Sequence, residues 1–85
     1  MTPQAKVHAS LARLARQSAL WRAAIPLISV QVTRRTRTAT TVGDQVRINP
    51  QFVTGLTPAE TDAILANAMG GIHTIRDILN VEQRA

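Results

Sequence analysis

Apolar residues in the first quarter of the chain recur at helical spacing. Val7, Leu11, Leu14, Trp21 and Ile25, with Ser18 filling the gap, step by 4, 3, 4, 3 and 4 residues, which is one stripe of an α-helix. Thr2-Pro3 supplies its start, a capping hydroxyl followed by a proline suited to the first helical position. Ala12, Ala15 and Ala19 flank the stripe, while Lys6, Arg13 and Gln17 are expected to point away from it. Pro26 ends the helix near Ala24, because a residue before proline is pushed toward extended backbone. From Leu27 the period changes to two: Ile28, Val30 and Val32 alternate with Ser29, Gln31 and Thr33, predicting a strand. Arg34-Arg35 reads as a turn or strand edge, and Thr36–Val42 as a second, threonine-rich strand. Gly43-Asp44 fits a tight hairpin, Val46 and Ile48 alternate on the return strand, and Asn49-Pro50 stops it.

The second helix has the sharpest local signal. Thr57-Pro58-Ala59-Glu60 combines an N-cap, a first-turn proline and the Glu of a capping box. Ile64, Ala68, Gly71 or Ile72, Ile75 and Leu79 then mark its buried face, beside a stripe of small residues at Ala59, Ala63, Ala66 and Gly70. Each glycine of Gly70-Gly71 costs about 1 kcal/mol relative to Ala inside a helix, so the helix is expected to kink or end there unless close packing requires them. The expected fold is α+β over a single domain, residues 1–85: N-terminal helix, small antiparallel sheet or hairpin, C-terminal helix kinked or broken near Gly70-Gly71.

Composition narrows the chemistry. The chain has 85 residues, 45% of them hydrophobic, and no cysteine, so disulfides, thiolate zinc clusters and cysteine nucleophiles are excluded. A mean hydropathy of −0.01 fits a folded chain, and a core this small is marginal without help. The net charge is +5 and the pI about 11.7. All seven positive charges before residue 44 (Lys6, Arg13, Arg16, Arg22, Arg34, Arg35, Arg37) precede the first acid, Asp44, and the remainder carries −2. Such halves can attract each other within one fold or present one basic face. The basic residues interrupt any secretory apolar stretch, and the apolar run Ala23–Ile28 contains Pro26 and is too short to span a membrane. An Arg-bearing, acid-free N-terminus also fits an organellar transit peptide, whose loss would remove about a quarter of a minimal domain; a cytoplasmic protein is the expectation.

From Gly43 to Ala66 the order is hairpin glycine, return strand, Asn49-Pro50-x-Phe52-Val53, a Gly55-Leu56 turn, then Thr57-Pro58-Ala59-Glu60 opening a helix. This run resembles the zincin-type metallopeptidase domains, in which an N-terminal helix and a β-hairpin precede a helix bearing H-E-x-x-H. There, histidines four residues apart hold zinc and the Glu serves as general base. The resemblance puts those three places at Asn67, Ala68 and Gly71, and the region of the third ligand at Ile75, Arg76 and Asp77. Asn is a poor zinc ligand, Ala accepts no proton and Gly has no side chain. The resemblance therefore implies a degenerate, minimal zincin-like scaffold without its metal site, not an enzyme and without a cofactor.

Other chemistry is sparse. His73 and Asp77 lie four apart and are the weak candidates for a metal, with His8 a distant third. Ser10, Ser18 and Ser29 lack a nucleophile elbow, and no glycine-rich phosphate loop occurs. Protein binding is the leading expectation: a sheet edge and an alanine-rich helix are ready docking surfaces, and pairing with itself would support a small core. An inhibitor, adaptor or assembly component, compatible with a phage or mobile-element origin, fits such a scaffold. The alternative is nucleic-acid binding, with phosphate contacts from Arg34, Arg35 and Arg37 interleaved with Thr33, Thr36 and Thr38, extended by Lys6, Arg13, Arg16 and Arg22. Arg13, Arg16, Arg34, Arg35 and Arg37 are accordingly the expected partner contacts. Trp21 and arginine on opposite sides of the first helix also fit an interfacial membrane helix, but the stripe is no stronger than a core requires, and no membrane partner is expected.

Overall fold

The computed structural model describes residues 1–72 and Ile75. In chain order its elements are α1 (Pro3–Gln17), α2 (Ala19–Ala24), a 3-10 turn (Ile25–Leu27), β1 (Ser29–Val32), β2 (Ala39–Val42), β3 (Gln45–Ile48), α3 (Pro50–Thr54) and α4 (Pro58–Gly70). The class is α+β, with helices on one face of a three-stranded sheet.

The N-terminal helix is two helices rather than one. Ser18 adopts extended backbone (φ −145°, ψ 124°), where its N–H donates to the Leu14 carbonyl and its hydroxyl accepts from the Trp21 N–H. One small polar side chain thus closes α1 and opens α2, a competition with the helical backbone that serine is suited to win. Apolar periodicity runs through this break and so conceals it.

The sheet order is β1-β3-β2. β2 and β3 form the expected antiparallel hairpin about Gly43, which takes φ +60°. β1 departs from the antiparallel expectation: it pairs with β3 in parallel, Val30 opposite Val46 and Val32 opposite Ile48. The 33–38 segment wraps around the C-terminal end of β3 instead of turning straight back. Thr33 N–H donates to Ile48 C=O, Asn49 N–H to Thr38 C=O, and the Asn49 side-chain amide to Thr36 C=O. The Thr36–Thr38 part of the expected second strand is spent on this wrap.

Val30, Val32, Ala39, Thr41, Val46 and Ile48 occupy the helix-facing side of the sheet, with Val46 and Ile48 fully buried. Ser29, Gln31, Thr40, Val42, Gln45 and Arg47 alternate onto the open side. Val7, Leu14, Ala24, Val53, Leu65, Met69, Ile72 and Ile75 complete the core. Asn49-Pro50 does end β3, but it also starts α3: the Asn49 carbonyl oxygen of the side chain accepts from Gln51 and Phe52 N–H. The capping box of α4 is present, Glu60 N–H to Thr57 hydroxyl at 3.1 Å and Thr57 N–H to Glu60 carboxylate at 2.8 Å.

α4 ends at Gly70, as the glycine pair predicts, with Gly71 as its C-cap. Its buried line within the helix is displaced by one position from the expected face. Thr61, Leu65 and Met69 are buried, whereas Ile64 and Ala68 are half-buried and Gly71 is exposed; beyond the helix, Ile72 and Ile75 are buried as expected. The displacement follows from α4 packing on α1 as well as on the sheet, so its covered arc extends toward α1. Thr61 is tolerated in that line because its hydroxyl donates to the Thr57 carbonyl. Leu79 lies outside the described residues.

Candidate functional site

The three places of the implied zinc motif lie along the last turns of α4, facing the edge of the sheet. Asn67 is exposed and Ala68 half-buried. The Ala68 carbonyl accepts from Gly71 N–H at 3.2 Å and from the Thr41 hydroxyl at 2.7 Å, which ties the C-terminal end of α4 to β2. A Cβ on Gly71 would sit 3.3 Å from that carbonyl oxygen and 3.5 Å from the Thr41 hydroxyl, so the close approach of strand and helix favours a residue without a side chain.

Next to this junction an open groove of about 350 Å³ runs between β2 and α4, lined by Thr38, Ala39, Thr41, Phe52, Ile64, Asn67 and Ala68. None of these residues is ionisable, and the Thr41 hydroxyl is already donated to Ala68. One wall is a strand edge. The antiparallel alternation, fixed by the Asn49 N–H to Thr38 C=O bond, turns the backbone groups of Thr38, Thr40 and Val42 toward β3. Those of Ala39 and Thr41 then point outward, beyond the ladder. The groove thus joins backbone donors and acceptors that have no partner among the described residues to a half-apolar floor formed by Phe52, Ile64 and Ala68. Such a surface can bind an extended chain, and its described lining carries no ionisable side chain.

The cations of the first half divide into two groups. Lys6 Nζ donates to the carbonyls of Leu56 and Thr54. Arg13 donates through Nε (3.0 Å) and Nη2 (2.8 Å) to the Asp62 carboxylate, which also accepts from the buried Ser10 hydroxyl. The expectation that Lys6 and Arg13 point away from the fold is therefore corrected, most clearly for Arg13. Asp62 on α4 pulls it across the helix pair, because the buried Ser10 brings that carboxylate onto α1. The hydrogen bond from Arg13 holds the Asp62 carboxyl below its usual range and raises the guanidinium above its own, and Ser10 adds to the first effect. Glu60 is also lowered, through its bond from Thr57 N–H. The second group has no carboxylate partner among the described residues, and its Arg22 Nε donates to the Ala15 carbonyl at 3.2 Å. Arg16, Arg34, Arg35 and Arg37 are exposed, and the Arg13–Asp62 pair is the one ion pair among the described residues.

His8 is exposed on α1, His73 and Asp77 lie outside the described residues, and no group of three potential metal ligands occurs among those described. No described helix is long and apolar enough to cross a membrane. Trp21 and Phe52 pack partly buried against the core. The sequence did not single out Ala39 and Phe52 as site residues, nor join Arg13 to Ser10 and Asp62. The cluster did leave a trace: Ser10 lies three residues after Val7 and four before Leu14, on the buried side of α1.

Comparison of the chain with protein families, curated proteins and solved structures finds no match.

Proposed function

We propose that the chain is a non-catalytic protein-binding module that takes an extended segment of a partner protein along the edge of β2 opposite β3, which is unpaired among the described residues. The observation that carries this reading is the groove between β2 and α4. It combines the outward backbone groups of Ala39 and Thr41 with an apolar floor and contains no ionisable side chain. A segment added there gains main-chain hydrogen bonds from the edge, while alternate side chains meet Phe52, Ile64 and Ala68. On this reading the zincin-like scaffold keeps the strand edge and the helix, with Asn67, Ala68 and Gly71 in place of catalytic groups. The module then acts as an inhibitor, adaptor or assembly component.

The test uses the tagged chain and two variants on a nuclease-treated native lysate. Ala39→Pro removes an outward N–H at an edge position where proline is tolerated, and Asn67→Lys fills the groove from an exposed helical site. The expected result is a protein recovered in stoichiometric amount with the wild type and lost with both variants, each of which keeps cooperative thermal unfolding. Recovery of untagged copies of the same chain assigns the edge to self-association. Capture unchanged in both variants contradicts the reading.

A further inference from the structure

The 33–38 turn carries three of the ten basic residues of the chain, and the fold holds it firmly. Its backbone is fastened at both ends and in the middle to the end of β3, by Thr33 to Ile48, Thr38 to Asn49 and Thr36 to the Asn49 side chain at 2.8–2.9 Å. Arg35 N–H donates to the Thr33 hydroxyl, and the Thr36 and Thr40 hydroxyls bond each other at 2.7 Å. The turn is therefore an ordered platform. Arg34, Arg35 and Arg37 project from it exposed, with no carboxylate within ion-pair distance among the described residues.

The open side of the sheet continues this surface. Thr40, bonded to Thr36, stands beside Arg47 in the β2–β3 register, and Gln31 stands opposite Arg47 on β1. Arg47 Nε is held by the Gln45 side chain at 2.8 Å, a neutral partner that orients the guanidinium, and no carboxylate among the described residues pairs with it. The described acids are elsewhere. Glu60 closes the α4 capping box and Asp62 holds Arg13. Asp44 is at the opposite end of β3 from the 33–38 turn, roughly 13 Å along the strand from Ile48 at about 3.3 Å per residue. That exceeds the screening length of about 8 Å at physiological salt.

We infer that the 33–38 turn, together with Arg47 and the polar open face of the sheet, is a binding surface for the phosphodiester backbone of nucleic acid. Planar guanidiniums match phosphate oxygens in pairs, and the threonine hydroxyls and glutamine amides around them are neutral phosphate or sugar partners. The surface has no aromatic side chain for base stacking, so recognition is of the backbone and independent of sequence. Apart from Thr38, which borders both, this surface and the groove share no residue, and each stands or falls separately.

The experiment is fluorescence anisotropy of a labelled mixed-sequence duplex titrated with the full chain over a salt series. Each arginine contact contributes about −0.9 to the slope of log affinity against log salt. A slope near −3.6 is expected for the wild type, falling by about 2.7 in R34Q/R35Q/R37Q and by about 0.9 in R47Q. R16Q/R22Q tests the wider patch expected from the sequence; these residues lie on α1 and α2, in the layer on the other side of the sheet, so the slope is unchanged. All variants are checked by thermal unfolding, and R47Q alone decides the matter if the triple variant does not fold. An unchanged slope in R34Q/R35Q/R37Q and R47Q overturns the inference. So does equal loss in R16Q/R22Q, or competition by polyglutamate as strong as that by unlabelled duplex at equal charge, which would assign the surface to an acidic protein.

Discussion

Leu65→Asp abolishes the folded state at 25 °C, whereas Ile64→Asp, one residue earlier on the same helix, leaves a cooperative transition. Leu65 is fully buried between α4 and the rest of the core. Its replacement removes about 2–3 kcal/mol of apolar burial and strands a carboxylate without a partner, at a further cost of several kcal/mol. A domain of 85 residues has roughly 4–13 kcal/mol in total at the usual 0.05–0.15 kcal/mol per residue, so the sum reaches the stability of the whole fold. Ile64 is half-buried at the groove, where an aspartate can reach water, and its substitution costs less than about 2 kcal/mol. Thermal unfolding followed by far-ultraviolet circular dichroism separates the two. A folded Leu65→Asp variant beside an unfolded Ile64→Asp variant would restore the face read from the sequence and refute the observed one.

Asp62→Ala is expected to lower Tm by roughly 8–16 °C. The dominant loss is the bond to the buried Ser10 hydroxyl, which then has no acceptor; a stranded buried hydroxyl costs about 2 kcal/mol, and 1 kcal/mol shifts Tm by about 4–8 °C in a domain of this size. The Arg13 ion pair contributes less, because its side chains are 30% and 19% exposed and water screens them. Ser10→Ala combined with Asp62→Ala removes the orphaned hydroxyl and recovers part of the loss, which identifies desolvation as the cause. The pH dependence has a definite sign. The Asp62 carboxyl titrates lower in the folded chain than in the unfolded one. Its contribution is therefore complete above the unfolded carboxylate value of about 3.9 and is lost as pH falls through the folded value. The gap in Tm between wild type and Asp62→Asn stays constant above about pH 5 and closes in strong acid. A gap that widens as pH falls contradicts this origin.

The sequence was most legible where local chemistry decides the backbone. Thr57-Pro58-Ala59-Glu60 specifies the start of α4 unaided, and Gly43-Asp44 the hairpin. It was least legible where a side chain does two things. Ser18 continues an apolar stripe in register but takes the backbone out of the helix, and Asn49-Pro50 both stops β3 and caps α3. The parallel pairing of β1 depends on the 33–38 segment closing around Asn49, a contact between residues 11 to 13 apart in sequence that no period reveals. The same limit applies to the sites. Exposed arginines were readable as a cluster, but Arg13 could be withdrawn from it only by seeing Asp62 across the helix pair. The groove draws on β2, α3 and α4 together, and no single run of residues announces it.

The central claim is that β2 accepts a partner strand, and amide hydrogen exchange of the chain with and without its captured partner tests it most directly. Free, the outward N–H groups of Ala39 and Thr41 should exchange rapidly while Thr40 and Val42, paired to β3, exchange slowly. In the complex Ala39 and Thr41 become protected to the level of their neighbours. Unchanged exchange at Ala39 and Thr41, with protection appearing on α1 or the open face of the sheet instead, would contradict it.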